Sequence, residues 1–153
     1  GDMWSNNLMF KYSEDGSISD LKTVDYQLLF YGTPAKDIFN FMITSWRPDI
    51  KIKEFDNFIS FYHENLAENL KMLKYKKHIP TLQQLNEEIL KRKFLMTAMT
   101  VELLPFPLND MAITTSEEIG DKWLSVFYNN PRCEAVFEEV FPWLDAMGAL
   151  EMP

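Results

Sequence analysis

The hydrophobic period of this chain changes once, at Thr33-Pro34, from about two residues to about 3.6. Ahead of that point, Leu8-Met9-Phe10-Lys11-Tyr12 and Leu21-Lys22-Thr23-Val24-Asp25-Tyr26 are short runs rich in β-branched and aromatic residues. Between them lies Ser13-Glu14-Asp15-Gly16-Ser17, whose Asp-Gly is a turn signal, so the runs are expected to pair as a β-hairpin with an extended loop. Chain reversal brings the polar flanks, Asp2 to Asn7 and Asp25, to the same end. Beyond Pro34 the pattern is helical throughout. Strands confined to one side of a single change of period exclude alternating βαβ units, and the expected class is α+β, mostly helical: a hairpin followed by about four helices.

Thr33 reads as the cap and Pro34 as the first turn of a helix running through Ile38, Phe39, Met42 and Ile43. Phe55, Phe58, Ile59, Tyr62, Leu66, Leu70 and Leu73 recur at three and four, predicting a long helix from about Ile52 to Leu73. A third is expected from about Thr81 to Leu104, stopped by Pro105 and Pro107, and Ser116-Glu117-Glu118 opens a short helical turn. Pro131 to Ala146 reads as the last helix, which Pro142 should kink or divide. The aromatic stripe Phe55, Phe58, Tyr62 is expected in the core. Lys74-Tyr75-Lys76-Lys77-His78 reads as a solvated basic connection.

Charge narrows the partners. A formal net charge of -8 argues against nucleic acid, which is bound through clustered Lys and Arg, and suits an acidic cleft that captures a cation. With 46% hydrophobic and 25% charged residues in 153, the chain has material for one domain and no run approaching the ~20 apolar residues of a membrane span. Cys133, the single cysteine, can form no intrachain disulfide; it reads as a small apolar filler in a reducing compartment, the cytoplasm. His63 and His78 have neither Cys nor another His at ligand spacing, so surface or helix-end roles are expected.

Asp2 and Asn7 form the one D-x-x-x-x-N in the chain, and Asn7 leads directly into the first strand while Asp25 ends the second. That arrangement suits phosphoryl transfer, in which positioning and charge neutralisation supply most of the catalysis. One carboxylate can accept the proton of an attacking hydroxyl. An Asn oxygen with a second carboxylate can hold magnesium, which prefers oxygen ligands and keeps waters and nucleotide phosphates in its shell. The protein-kinase catalytic loop has the same acid-to-Asn spacing, with a metal-binding Asp on the following hairpin.

Gly1-Asp2-Met3-Trp4-Ser5-Asn6-Asn7-Leu8-Met9-Phe10, then Val24-Asp25-Tyr26-Gln27, then Tyr31-Gly32-Thr33-Pro34-Ala35-Lys36-Asp37-Ile38 closely resemble the ecdysteroid kinase-like family of small-molecule kinases, relatives of choline and aminoglycoside kinases. The resemblance is strong over the first forty residues, and the remaining helices fit the family's C-terminal lobe more loosely. It implies that Asp2 is the catalytic base, that Asn7 and Asp25 bind magnesium and through it ATP, and that Asp37 supports the loop backbone. An Asp in a first helical turn also favours the helix dipole whatever the protein does. Trp4 and Asn6 match family positions and are expected to pack or shape the loop.

The same resemblance implies that residues 1–153 are a partial kinase-like domain, running from the catalytic loop onward without the N-terminal lobe. No G-x-G-x-x-G or Walker A motif occurs in the chain. A phosphotransferase acting on a small-molecule alcohol, an ecdysteroid by the family's name, is therefore expected, inactive or nearly so as this chain alone. Apolar side chains such as Leu8, Phe10, Leu28, Leu29 and Phe30 should then lie uncovered. Trp46, Phe58, Tyr62, Trp123 and Phe127 are candidates for an acceptor pocket. The alternative is a non-catalytic helical domain binding a hydrophobic ligand or a partner protein.

Overall fold

The hairpin forms as its turn chemistry dictates. Strands β1 (Leu8–Tyr12) and β2 (Ile18–Thr23) pair antiparallel, with Leu8 opposite Thr23 and Phe10 opposite Leu21. Gly16 supplies the left-handed turn residue at φ 82°, and Asp15 accepts hydrogen bonds from the backbone and hydroxyl of Ser17. The register slips by one residue at Lys11/Tyr12, which sets Tyr12 opposite Ile18. The second strand thus starts earlier than Leu21 and ends at Thr23, so Asp25 lies just past the ladder instead of within it. The computed structural model describes residues 1–108 and 128–151. The turn expected at Ser116-Glu117-Glu118, and the side chains of Trp123 and Phe127, lie outside the described residues.

The helical body begins with α1 (Ala35–Ser45), where the Thr33 hydroxyl accepts a hydrogen bond from the Ala35 amide at 3.2 Å. Its spacing buries Ala35, Ile38, Phe39, Met42 and Ile43 on one face. The second expected helix divides at Glu54 into α2 (Pro48–Lys53) and α3 (Phe55–Met72). From α2 the wholly buried Lys51 donates to the Ile43 carbonyl at 2.5 Å, satisfying an end carbonyl of α1. Burial lowers the Lys51 pKa to about 8. The α3 helix ends in a Schellman turn in which Lys74 takes φ 54° and the Tyr75 amide bonds the Leu70 carbonyl.

The third expected helix also divides, into α4 (Leu82–Leu90) and α5 (Phe94–Glu102), after a capping box in which Thr81 and Gln84 bond each other's backbone. A continuous helix through Leu85, Ile89 and Met96 would aim Arg92 and Lys93 at the core. The chain turns there instead. Arg92 pairs with Glu88 at 2.6 Å, and the Lys93 ammonium donates to the Met147 carbonyl at 3.3 Å. One further turn, α6 (Pro105–Leu108), precedes α7 (Pro131–Ala146).

Pro142 does not divide α7. Proline removes one donor, to the Glu138 carbonyl; both residues are exposed, so water can replace the lost bond. Phe39, Met42, Ile59, Ile89, Met96 and Leu144 form the centre of one core shared by α1, α3, α4, α5 and α7. Phe55 belongs to it, stacking edge-on against Trp143, and Phe58 and Tyr62 pack against its margin. Each such side chain contributes about 1.5–3 kcal/mol by burial. His63 Nε2 donates to the Pro80 carbonyl and His78 Nε2 to Gln84 Oε1, both joining the 73–81 connection to its neighbouring helices. No described helix is long and apolar enough to cross a membrane.

Candidate active site

Residues 1–7 form a loop that closes on itself and on α1. Ser5–Asn7 make one 3-10 turn, with the Asn7 amide donating to the Trp4 carbonyl at 3.0 Å. The Ser5 amide donates to the Ser45 hydroxyl at 2.8 Å, which fixes the loop to the last turn of α1. Asn7 is buried, and its Nδ2 donates both to the Asp2 carbonyl at 2.8 Å and to Asp2 Oδ2 at 3.1 Å. Both bonds use the amide nitrogen, so the amide oxygen is the atom available to a cation.

The hairpin brings Asp25 to the same place. Leu8 opposite Thr23 sets Asn7 beside Val24, and the Val24 amide donates to the Asn7 carbonyl at 2.9 Å. Asp25 follows at φ 59°, a left-handed conformation that Asp tolerates better than most residues. Its carboxylate is exposed and accepts from the Gln27 side chain at 3.3 Å. Tyr26 folds back onto Thr23 through its hydroxyl. Asp37, in the first turn of α1, accepts from the Gly1 nitrogen at 3.3 Å, so it meets the start of the loop from behind. Its charge reaches further: Tyr62 titrates above its ordinary value, first because it is partly buried and then because Asp37 is near.

Asp2, Asn7, Asp25 and Asp37 therefore line one cavity of about 110 Å³, whose wall includes no Lys or Arg side chain. Three carboxylates without a side-chain cation suit a divalent metal ion. Among the described residues there is no group of three or more His, Cys, Asp and Glu that could hold one alone. A magnesium ion held by Asn7 and Asp25 would thus complete its shell with waters and phosphate oxygens, as magnesium commonly does.

The sequence model of the ecdysteroid kinase-like family matches residues 1–75, the stretch carrying the loop, the hairpin and α1 to α3. This half of the chain belongs to the ecdysteroid kinase-like family. Among curated proteins and solved structures, nothing matches the chain. Kinase-like membership agrees with the α+β arrangement of a hairpin followed by helices.

In this ecdysteroid kinase-like half, two of the expected pocket residues, Trp46 and Phe58, line neither of the cavities that Asp2 borders. Trp46 and Phe58 stack edge-on at 4.8 Å and line a separate open groove with Glu54, Asn57 and Phe61. Asp2 instead borders a second cavity of about 180 Å³ whose other walls are Trp4, Asn40, Thr44, Leu103 and Phe106. One signal for it was present: Asn40 interrupts the apolar run Ile38-Phe39-Asn40-Phe41-Met42-Ile43. A polar residue inside such a run needs a partner or a purpose.

Proposed function

We propose that this chain carries the catalytic-loop side of an ATP-dependent phosphotransferase whose acceptor is the hydroxyl of a small apolar molecule, an ecdysteroid-like alcohol. The observation that supports it is the hydrogen bond from Asn7 to the Asp2 carboxylate in the same cavity as Asp25. Asp2 would accept the hydroxyl proton as the acceptor oxygen bonds the γ-phosphorus. The bond from that phosphorus to the bridging oxygen breaks, and ADP leaves with the electron pair. The Asn7 N–H aims the Asp2 carboxylate, and Asp37 steadies the loop backbone. Asn7 and Asp25 would hold magnesium, which neutralises the phosphate charge.

The chain has no glycine-rich phosphate loop of its own, so as 153 residues it should turn over ATP slowly or not at all. A free, buried Cys133 suits a reducing compartment such as the cytoplasm. Titration with magnesium, followed through the Asn7 side-chain amide in nitrogen-15 spectra, tests the metal site. Saturable shifts that Asp25→Asn weakens are expected. Magnesium and magnesium-ATP that leave Asn7 unmoved, with an ecdysteroid still binding, would make this a non-catalytic binding domain.

A further inference from the structure

The groove beside Trp46 and Phe58 shares no residue with either cavity that Asp2 borders, so a group bound in it is not presented to Asp2. It encloses about 380 Å³ between Trp46, Glu54, Asn57, Phe58 and Phe61. Trp46 stands at 75° to Phe58 and at 77° to Phe41, so its wall combines ring faces with ring edges. Phe61 is 63% exposed and extends this aromatic surface into water.

The charge in the groove is negative. Asn57 Nδ2 donates to Glu54 Oε2 at 2.7 Å, which holds the carboxylate against the aromatic wall. Its Oε1 faces only the Lys53 ammonium at 4.0 Å, on a side chain 81% exposed, and a surface pair of that kind contributes little. Aromatic ring faces carry negative charge density, so rings and carboxylate favour a ligand of the same sign, a cation. The preference continues along α3. Glu54, Phe61 and Glu68 follow at two-turn spacing on one stripe with Glu64 beside it, and the helix spans about 21 Å from Glu54 to Glu68. Glu64 and Glu68 are exposed, and neither makes an ion pair with a described residue.

We propose that this face of α3 docks a basic segment of a partner protein, which seats an arginine or lysine over the Trp46 and Phe58 rings against Glu54. An apolar side chain of the segment covers Phe61, and a second cation meets Glu64 or Glu68. At about 3.3 Å per residue, an extended stretch of about seven residues spans that distance. A lone small cation suits the face less well, because a cation–π contact open to water contributes little and Glu64 and Glu68 lie beyond its reach. The same carboxylates repel nucleic acid, and the net charge of -8 draws a basic partner in from a distance. Docking here uses none of Asp2, Asn7, Asp25 and Asp37, and holds whether or not the chain transfers phosphate.

The test is a titration of the nitrogen-15-labelled chain, at about 0.15 M salt, followed at the Trp46 indole resonance. The probe is an acetylated, amidated seven-residue peptide with arginine at both ends, leucine at its centre and glycine elsewhere. Saturable shifts are expected. The same peptide with citrulline, which keeps the shape of arginine without its charge, should bind at least about tenfold more weakly. Glu54→Gln and the exposed Phe61→Ala should each weaken the arginine peptide at least about fivefold. Glu134→Gln with Glu138→Gln removes twice the charge from α7 and should change its affinity less than about twofold.

An unmoved Trp46 resonance, or equal binding of the two peptides, overturns the proposal. So does a loss in the α7 variant as large as in Glu54→Gln, which would make the attraction a general effect of charge. Tetramethylammonium binding as tightly as the peptide would make the groove a small-cation pocket instead. Self-association in sedimentation that Phe61→Ala abolishes would give the face to a second copy of the chain, and overturns the proposal too. The contrast between arginine and citrulline on the wild-type chain decides the matter even where a variant fails to fold.

Discussion

The hairpin and the helical body are held together by different physics. From Met9 to Thr23 every hairpin residue is exposed, including Phe10, Tyr12, Ile18 and Leu21, and the connection through Leu28 to Tyr31 is no better covered. Of the apolar side chains expected to lie uncovered, only Leu8 is partly buried. The hairpin keeps its shape through its ladder, its Asp-Gly turn and the Val24–Asn7 bond at its root. The helical body keeps its shape through a shared core. Two of the proposed catalytic groups, Asp2 and Asn7, sit on the loop that bonds to both regions, Asp25 lies just past the second strand, and Asp37 belongs to the body. Positioning at the site therefore depends on a few backbone hydrogen bonds across the boundary more than on burial.

The largest test of that contrast sets one substitution against its counterpart. Phe39→Ala, in the core, should cost about 3–5 kcal/mol in urea unfolding. Phe10→Ala, the same chemical change on the hairpin, should cost no more than about 0.5 kcal/mol. Equal losses would mean that the hairpin is buried in solution.

Lys51 offers a second test inside the body. Its folded pKa of about 8 lies below the unfolded value of 10.5, so between those limits the unfolded chain holds a proton that the folded chain has released. Stability should therefore rise with pH across that window, by up to about 3 kcal/mol relative to Lys51→Met. Tyr62 and Cys133, both raised by burial, work the other way, but they are present in both proteins and cancel in the difference. A flat difference curve would place the Lys51 ammonium in water.

Across the boundary, Ser45→Ala removes the acceptor of the Ser5 amide and should cost about 1 kcal/mol. The sharper readout is amide hydrogen exchange, which should quicken at Ser5 to Asn7 and hardly at all within β1 and β2. Smallest is a gain: Lys74→Gly should stabilise by up to about 1 kcal/mol in thermal unfolding, because φ 54° suits glycine. The corresponding position after α7 already carries Gly148, at φ 67°.

Local signals located the elements well where the reason for an element is local. The first strand runs Leu8–Tyr12 and the last helix Pro131–Ala146, as turn and proline positions imply. The breaks at Glu54 and between Leu90 and Phe94 were not legible, because a helical stripe carries no sign of where a lysine or arginine must turn away from a neighbour. Asp2, Asn7, Asp25 and Asp37, singled out from spacing and family resemblance, line one cavity. The second cavity was legible only as the polar Asn40 inside an apolar run, since its wall joins Trp4, Asn40 and Thr44 to Leu103 and Phe106, far along the chain.

The sequence by itself determined the order of elements, hairpin before helices, since period and turn chemistry are properties of neighbours along the chain. It also singled out Asp2, Asn7, Asp25 and Asp37 as the groups proposed for phosphoryl chemistry. Only the tertiary structure decided that Asp2 stands between two cavities, one acidic and one mixed, and that Asn40 meets Leu103 across the second. Those facts depend on how α1 packs against α5 and the loop, and packing joins residues that no local pattern relates.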